Sequence, residues 1–256
     1  MKATSYGRIV FGASVILFGV ILGIWHDVDT WQSLHRILRL PMGDVIGDML
    51  MVALIVGGVL LIATRAVRIG AGIVVVLFGI FSIACIPGMF AAPKIYAQYG
   101  SFFEQFSILS GAIALYAANE LNTSRAATLN GIARIGYGLS VVSFTLMQTV
   151  YFGVTAGFVP KWIPPNQVFW AGLTTVAFAL AAIAILLNIR ARLALALTAV
   201  MIAVFGLLVW VPALIAHPRS HNSWSEFALN AMIMAAAWVT ISAVGRSASF
   251  KTISPL

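Results

Sequence analysis

Apolar residues fall into eight long runs along the chain, and polar residues gather between the runs. The runs lie at about 7–25, 45–64, 67–90, 103–119, 133–153, 167–188, 193–216 and 225–244. Each has close to the ~20 residues that an α-helix needs to cross the hydrocarbon core of a bilayer. None alternates between apolar and polar residues, as the strands of a membrane β-barrel would. The pattern predicts an all-α polytopic membrane bundle of about eight transmembrane helices.

The two halves of the chain resemble each other at an offset of 122 to 126 residues. The anchors that recur in the same order are Arg8 and Arg134, Gly12 and Gly138, Arg65 and Arg190, Pro87 and Pro212, Pro93 and Pro218, and Glu104 and Glu226. Such a series indicates duplication. It predicts two four-helix units, 1–122 and 123–256. Because each unit has an even number of helices, both enter the membrane in the same direction, which makes a parallel repeat.

Composition supports a membrane bundle and excludes a nucleic-acid-binding protein. Hydrophobic residues make up 61% of the chain and charged residues 9%, whereas a soluble domain carries about 25% charged residues. The net charge is +8, but the basic residues stand singly or in pairs at the ends of the apolar runs. That arrangement is typical of anchoring against anionic lipid headgroups. Membrane lipids are therefore the expected partners.

The distribution of charge predicts an orientation. Ten basic residues and one acid, Glu120, lie on the side that holds both termini. The other side has five basic residues and six acids. The positive-inside rule then places both termini in the cytoplasm, in a multi-pass protein of a bacterial inner membrane. The side with the six acids is called the outer side below.

The second half resembles the DoxX-like membrane proteins. The resemblance is carried by Arg134 at the start of a helix, by residues 157–170 (GFVPKWIPPNQVFW) and the small-residue helix that follows, and by Trp224 and Glu226 at the start of the last helix. It covers most of 133–245. In the first half, 25–47 replaces the proline-rich segment. DoxX-like proteins are usually single four-helix units, so this chain looks like a fused pair.

The resemblance implies a quinone-interacting or accessory subunit of a membrane redox system. Some DoxX-like proteins are similar to the membrane subunit of a thiosulfate:quinone oxidoreductase. A quinone is therefore the implied cofactor, and other membrane subunits or a soluble redox partner are the implied partners. The residues themselves leave two alternatives open: a protein that binds or transports a lipid or small apolar molecule, and a structural subunit of a larger membrane complex. They do not decide whether the protein is an enzyme.

The candidate site residues collect at the outer ends of the predicted helices. They are His26, Glu104, Trp162, His217, His221, Trp224 and Glu226. Acids near a membrane are functional candidates, and we expect these side chains to share one outer pocket. The alternatives are that the acids only stabilise helix N-termini, that the histidines bind water or headgroups, and that the tryptophans belong to an interfacial belt.

Metal and nucleotide chemistry is not indicated. His217 and His221 have the i, i+4 spacing of metal ligands on a helix, but Pro218 between them disturbs that geometry, so no metal site is predicted. The single cysteine, Cys85, can form no intramolecular disulfide. Motifs for phosphate binding, zinc proteolysis and serine hydrolysis are absent from the sequence. Gln148 and Asn188, which are polar groups inside apolar runs, are expected to bond between helices.

Overall fold

The computed structural model describes residues 2–25 and 32–249, and these residues form an all-helical bundle without strands. The helices are α1 (Lys2–Trp25), α2 (Gln32–Leu38), α3 (Gly43–Ile62), α4 (Val67–Ala91), α5 (Tyr96–Ala118), α6 (Thr123–Val150), α7 (Phe152–Phe158), α8 (Gln167–Leu186), α9 (Ala191–Phe205), a π-helical segment (Gly206–Trp210), α10 (Val211–Ala216) and α11 (His221–Ser249). Side chains are described for 6–25 and 33–244.

Six helices are long and apolar enough to cross a membrane, and α6 with α7 makes a seventh if that bent pair is one span. The protein thus has the architecture of a multi-pass membrane protein. All eight predicted apolar runs are helical, but α5 is not among these spans. It carries Gln98, Glu104 and Gln105 along its outer half. A helix of this kind is stable in a membrane when its polar side chains face neighbouring helices rather than lipid.

The helices pack in corresponding pairs within the two halves. In the first half α1 contacts α3, α3 contacts α4, and α4 contacts α5; in the second half α6 contacts α8, α8 contacts α9, and α9 contacts α11. Between the halves, α1 contacts α11, α5 contacts α6, and α5 packs against α11. The fourth long helix of each half therefore lies at the centre, where it contacts both the third helix of its own half and the first helix of the other.

Two arginines at corresponding positions bind the C-terminal ends of neighbouring helices. The Nη1 atom of Arg8 donates to the carbonyl oxygens of Leu61 (2.7 Å) and Ile62 (3.0 Å), at the end of α3. The Nη1 atom of Arg134 donates to the carbonyls of Ile185 (2.5 Å) and Leu186 (2.8 Å), at the end of α8. The last carbonyls of a helix lack intrahelical partners, and a cation there also interacts favourably with the helix dipole.

Small residues allow the closest helix approaches, as in other membrane bundles. A Cβ atom on Gly12 of α1 would lie 2.8 Å from the carbonyl oxygen of Gly58 in α3. A Cβ atom on Gly111 of α5 would lie 2.6 Å from the Cβ of Ala236 in α11. The first contact holds two helices of one half together, and the second joins the halves.

An ion pair stabilises the junction between the halves. The Nη2 atom of Arg68 lies 2.8 Å from Oε2 of Glu120, whose side chain is only 4% exposed. Oε1 of Glu120 accepts hydrogen bonds from the backbone N–H groups of Leu121 and Asn122. These bonds connect α4 to the turn between α5 and α6. The backbone bonds and the charge of Arg68 hold the pKa of Glu120 below its usual value.

Candidate functional site: a lateral cavity in the second half

A cavity with a volume of about 590 Å³ lies within the second half. Its walls come from α6, α7, the loop after α7, α8, α9, the π-helical segment and α11. Its lining includes Leu173 and Val204, which are also 46% and 41% exposed on the surface of the bundle. The cavity therefore opens on an apolar surface. Its volume and apolar lining are typical of a small-molecule site.

Two irregularities in the helices make room for this cavity. The chain turns by 94° between α6 and α7 at Tyr151, whose backbone is not helical. On the opposite wall, residues 206–210 form a π-helical segment just before Pro212. Because proline has no N–H, Pro212 cannot bond to the carbonyl of Leu208, and the helix is loosened on its N-terminal side. Single π-helical turns of this kind are frequent at functional sites.

The base of the bend is attached to the start of α5. The hydroxyl of Tyr151 accepts a hydrogen bond from the backbone N–H of Ala97 (3.2 Å). About two helical turns before Tyr151, the hydroxyl of Ser143 in α6 lies 3.1 Å from the hydroxyl of Tyr96. These bonds hold the outer end of α6 against the first half, so α7 leaves from a rigid point.

Four side chains give the lining its polar groups: Gln148, Thr155, Thr174 and Asn230. Oε1 of Gln148 lies 2.9 Å from the hydroxyl of Thr175 and 3.4 Å from that of Thr174. Gln148 therefore bonds between α6 and α8, as predicted. Asn188, by contrast, lies in the turn after α8 with a left-handed backbone (φ 58°), and its predicted interhelical role is wrong. Among the residues that the structure describes, no Asp, Glu, Lys, Arg or His lines the cavity.

Aromatic side chains form much of the remaining lining: Phe158, Trp170, Phe205 and Trp210. The rings of Phe158 and Trp210 are 5.8 Å apart and connect α7 to the π-helical segment. The indole N–H of Trp170 donates to the carbonyl of Pro164 (2.8 Å). This bond holds the Trp170 ring against the proline-rich loop. The cavity therefore offers flat aromatic surfaces next to a few amide and hydroxyl groups.

None of the described residues that the sequence assigned to one outer pocket lines this cavity. Trp162 is 74% exposed and His217 is exposed as well, and neither lines the cavity. His221 is buried and stacks on the Trp25 ring, with 5.5 Å between ring centres. The half-buried Trp224 donates its indole N–H to the carbonyl of Pro218 (2.9 Å). His26 lies outside the described residues.

Two of the predicted residues do come together. Glu104 of α5 and Glu226 of α11 are half-buried and close enough for their charges to interact. They lie where the central helices of the two halves pack against each other, and not in the lateral cavity. Among the described residues, no group of three histidine, cysteine or acidic side chains could hold a metal ion.

The outer part of the first half contains a polar cluster that the sequence did not single out. In α2, Ser33 hydrogen-bonds to the buried Cys85 of α4. Nη1 of Arg36 lies 3.4 Å from the carbonyl of Ala84. Nη2 of Arg36 and Oε1 of Gln98 both lie beside Gly88, at 2.4 and 2.3 Å from the position of an added Cβ. The contacts of Ser33 and Arg36 attach α2 to α4.

No protein-family model matches the chain, and neither a curated protein nor a solved structure is detectably similar to it. The residues and the geometry described above are therefore the basis for a proposed function.

Proposed function

We propose that the protein binds an apolar molecule taken from the bilayer in the lateral cavity of the second half. The observation that carries the proposal is the cavity itself, about 590 Å³ in volume and lined mainly by aliphatic and aromatic side chains. An apolar ligand gains free energy in proportion to the apolar surface that it buries. The exposed apolar residues at the rim provide a path from lipid without crossing a polar surface.

A quinone is one ligand of this kind, and it connects the cavity with the resemblance to DoxX-like proteins. Flat rings stack on aromatic side chains, and four aromatic residues line the cavity. In this form of the proposal, the protein is a quinone-interacting or accessory subunit of a membrane redox system. A visible absorption spectrum of the purified protein and analysis of its organic extract test it. A colourless protein that releases lipid but no quinone contradicts the redox form and supports binding of a lipid.

Photolabelling tests the binding site directly. A hydrocarbon photoprobe, a hexadecane that carries a diazirine, is incorporated into bilayers that contain the purified protein. We expect labelled peptides from α8 and from residues 201–210. Ala177→Trp fills the cavity, since Ala177 lines it, and should reduce this labelling at least tenfold. Ala179→Trp on the same helix is the matched control, because Ala179 is half-buried outside the cavity. Equal labelling of both variants contradicts the proposal.

We further propose that the two halves are tandem repeats with eight membrane-crossing helices, and that both termini are cytoplasmic in an inner membrane. The matching contacts of Arg8 and Arg134 support the repeat, as do the corresponding helix pairs. Reporter fusions at residues 95, 160 and 220 should report the periplasm. A periplasmic C-terminus contradicts the orientation. An experimental structure whose halves superpose only after inversion contradicts the parallel repeat.

A further inference from the structure

We propose that the ligand of the lateral cavity is a neutral amphiphile whose polar group is a carbonyl or a hydroxyl, held by the carboxamides of Asn230 and Gln148. This inference rests on the proposed function, because it concerns the same cavity. It adds the chemical class of the ligand and the residues that recognise it. The aliphatic and aromatic lining would receive the tail, and the two amides would receive the head.

The charge of the lining indicates a neutral ligand. None of the residues that line the cavity is acidic, basic or histidine. An ionised group transferred into such a site would have no counter-charge, and burial of an unpaired charge is strongly unfavourable. A phospholipid headgroup or a fatty-acid carboxylate therefore does not fit inside the cavity. A neutral carbonyl or hydroxyl group does.

Asn230 supplies the first recognition group. Its side chain lines the cavity and has no hydrogen-bond partner among the residues that the structure describes. It lies against the π-helical segment, and its Oδ1 atom is 2.7 Å from the position that a Cβ on Gly206 would occupy. Glycine at 206 thus leaves room for this amide. An amide that faces an apolar cavity gains a hydrogen bond when a ligand supplies the partner.

Gln148 of α6 supplies the second group. One end of its carboxamide contacts the hydroxyls of Thr174 and Thr175. These hydroxyls also lie within 3.1 Å of carbonyls in their own helix, and each has a single hydrogen to donate. In either orientation of the amide, one polar atom of Gln148 is held by the threonines. The other stays without a partner in the described part of the chain, available to a ligand.

Competition between amphiphiles of equal chain length tests the class of ligand. The hydrocarbon photoprobe labels the protein while hexadecane, 1-hexadecanol, 2-hexadecanone, palmitate or hexadecyltrimethylammonium competes. We expect the alcohol and the ketone to compete about 3- to 10-fold better than hexadecane, which corresponds to one or two net hydrogen bonds. The two charged competitors should be weaker than the alcohol. Equal competition by hexadecane and the alcohol overturns the inference, as does preference for an ion.

Variants assign the preference to the two amides. Asn230→Leu should remove the advantage of the alcohol and the ketone while hexadecane competes as before, which also shows that the variant is folded. Gln148→Met should reduce the same advantage, and Gly206→Ala should do so by displacing Oδ1 of Asn230. Asn222→Leu is the matched control, since Asn222 is exposed on the same helix. An undiminished preference in both amide variants overturns the assignment.

The outcomes separate this inference from the proposed function. If hexadecane competes and Ala177→Trp blocks labelling, the cavity binds apolar molecules even when the polar competitors show no advantage. If the photoprobe does not label the cavity at all, both proposals fail. Three final competitors distinguish the natural classes of neutral amphiphile. Decyl-benzoquinone represents a quinone, farnesol a polyprenyl alcohol, and dioctanoylglycerol a diacylglycerol.

Discussion

The two halves of the bundle use the short helix after their first long helix in different ways. In the first half, α2 packs across α3 and α4, with Leu34 fully buried and Ile37 7% exposed. In the second half, α7 contacts α6 and α8, and its Phe158 is 50% exposed at the cavity. The first half is closed by this helix, whereas the second half has an open space beside it.

The difference begins in the third long helix of each half. In the first half, α4 continues through Pro87 to Ala91 as an α-helix. At the corresponding place in the second half, α9 gives way to the π-helical segment and then to α10. A proline at a similar place therefore interrupts the α-helix in the second half but not in the first. We infer that the first half provides stability and the second half provides the binding site.

The largest effect is expected from the helix that closes the first half. Leu34→Ala removes a fully buried side chain and should lower the free energy of unfolding by about 2–5 kcal/mol. Phe158→Ala in α7 should cost less than about 1 kcal/mol, since Phe158 is half-exposed and lines the cavity rather than the core. Unfolding of the two variants in mixed micelles, followed by circular dichroism, measures both values. A greater loss for Phe158→Ala would contradict this division between the halves.

A smaller difference is expected from two corresponding glycines. A Cβ on Gly12 would lie 2.8 Å from a backbone oxygen of Gly58, so α1 and α3 would have to separate. A Cβ on Gly138 would meet side-chain atoms rather than backbone: Cδ2 and Cγ of Leu186 at 2.8 and 3.0 Å, and Cγ2 of Ile185 at 3.1 Å. Side chains can shift where a backbone oxygen cannot. Overpacking of this kind destabilises the fold by about 1–3 kcal/mol. Alanine has a higher helix propensity than glycine, which offsets up to about 1 kcal/mol of that loss.

The two glycine-to-alanine variants should therefore change the free energy of unfolding by clearly different amounts. Gly12→Ala should be destabilising, and Gly138→Ala should be close to neutral in the same unfolding measurement. Gly79→Ala is a control for propensity alone, because nothing lies within 4 Å of a Cβ there. If Gly138→Ala lowers the free energy of unfolding as much as Gly12→Ala, the two helix crossings are equally tight. That result would contradict a difference between the halves at this position.

The sequence predicted the long helices well because length and hydropathy determine them. All eight apolar runs are helices, and the residues at their ends, such as Arg8 and Arg134, have corresponding contacts. The sequence reading missed α2, since the 26–48 segment has a mixed composition. It also placed the site at the outer helix ends, whereas the cavity of the second half depends on a bend at Tyr151 and a π-helical turn. Neither the bend nor the π-helical turn changes the periodicity of apolar residues along the chain, so hydropathy does not reveal them.

Some signals for the cavity were nevertheless present in the sequence. Gln148 and Asn230 are amides within apolar runs, and Pro212 follows a run of aliphatic residues. Glu104 and Glu226 were paired in the sequence by their similar places in the two halves, and the helices that carry them, α5 and α11, pack against each other. Whether a side chain at a helix end points into a cavity or away from the bundle depends on tertiary packing. The exposed Trp162 and His217 illustrate this limit.

The smallest effect is expected at the junction of the halves, where Arg68 of the first half pairs with Glu120. Leu193 occupies the position that corresponds to Arg68, so α9 has no such contact there.

The pKa of Glu120 is lowered in the folded protein, and its unfolded value is about 4.3. Its contribution to stability is therefore complete above that value and is lost as the pH falls through the lower, folded pKa. Glu120→Gln should be less stable than the unsubstituted protein at pH 7 and should converge with it in acid. Unfolding midpoints of the two proteins between pH 7 and pH 3 measure this difference, and parallel profiles would show that Glu120 contributes no pH-dependent stability.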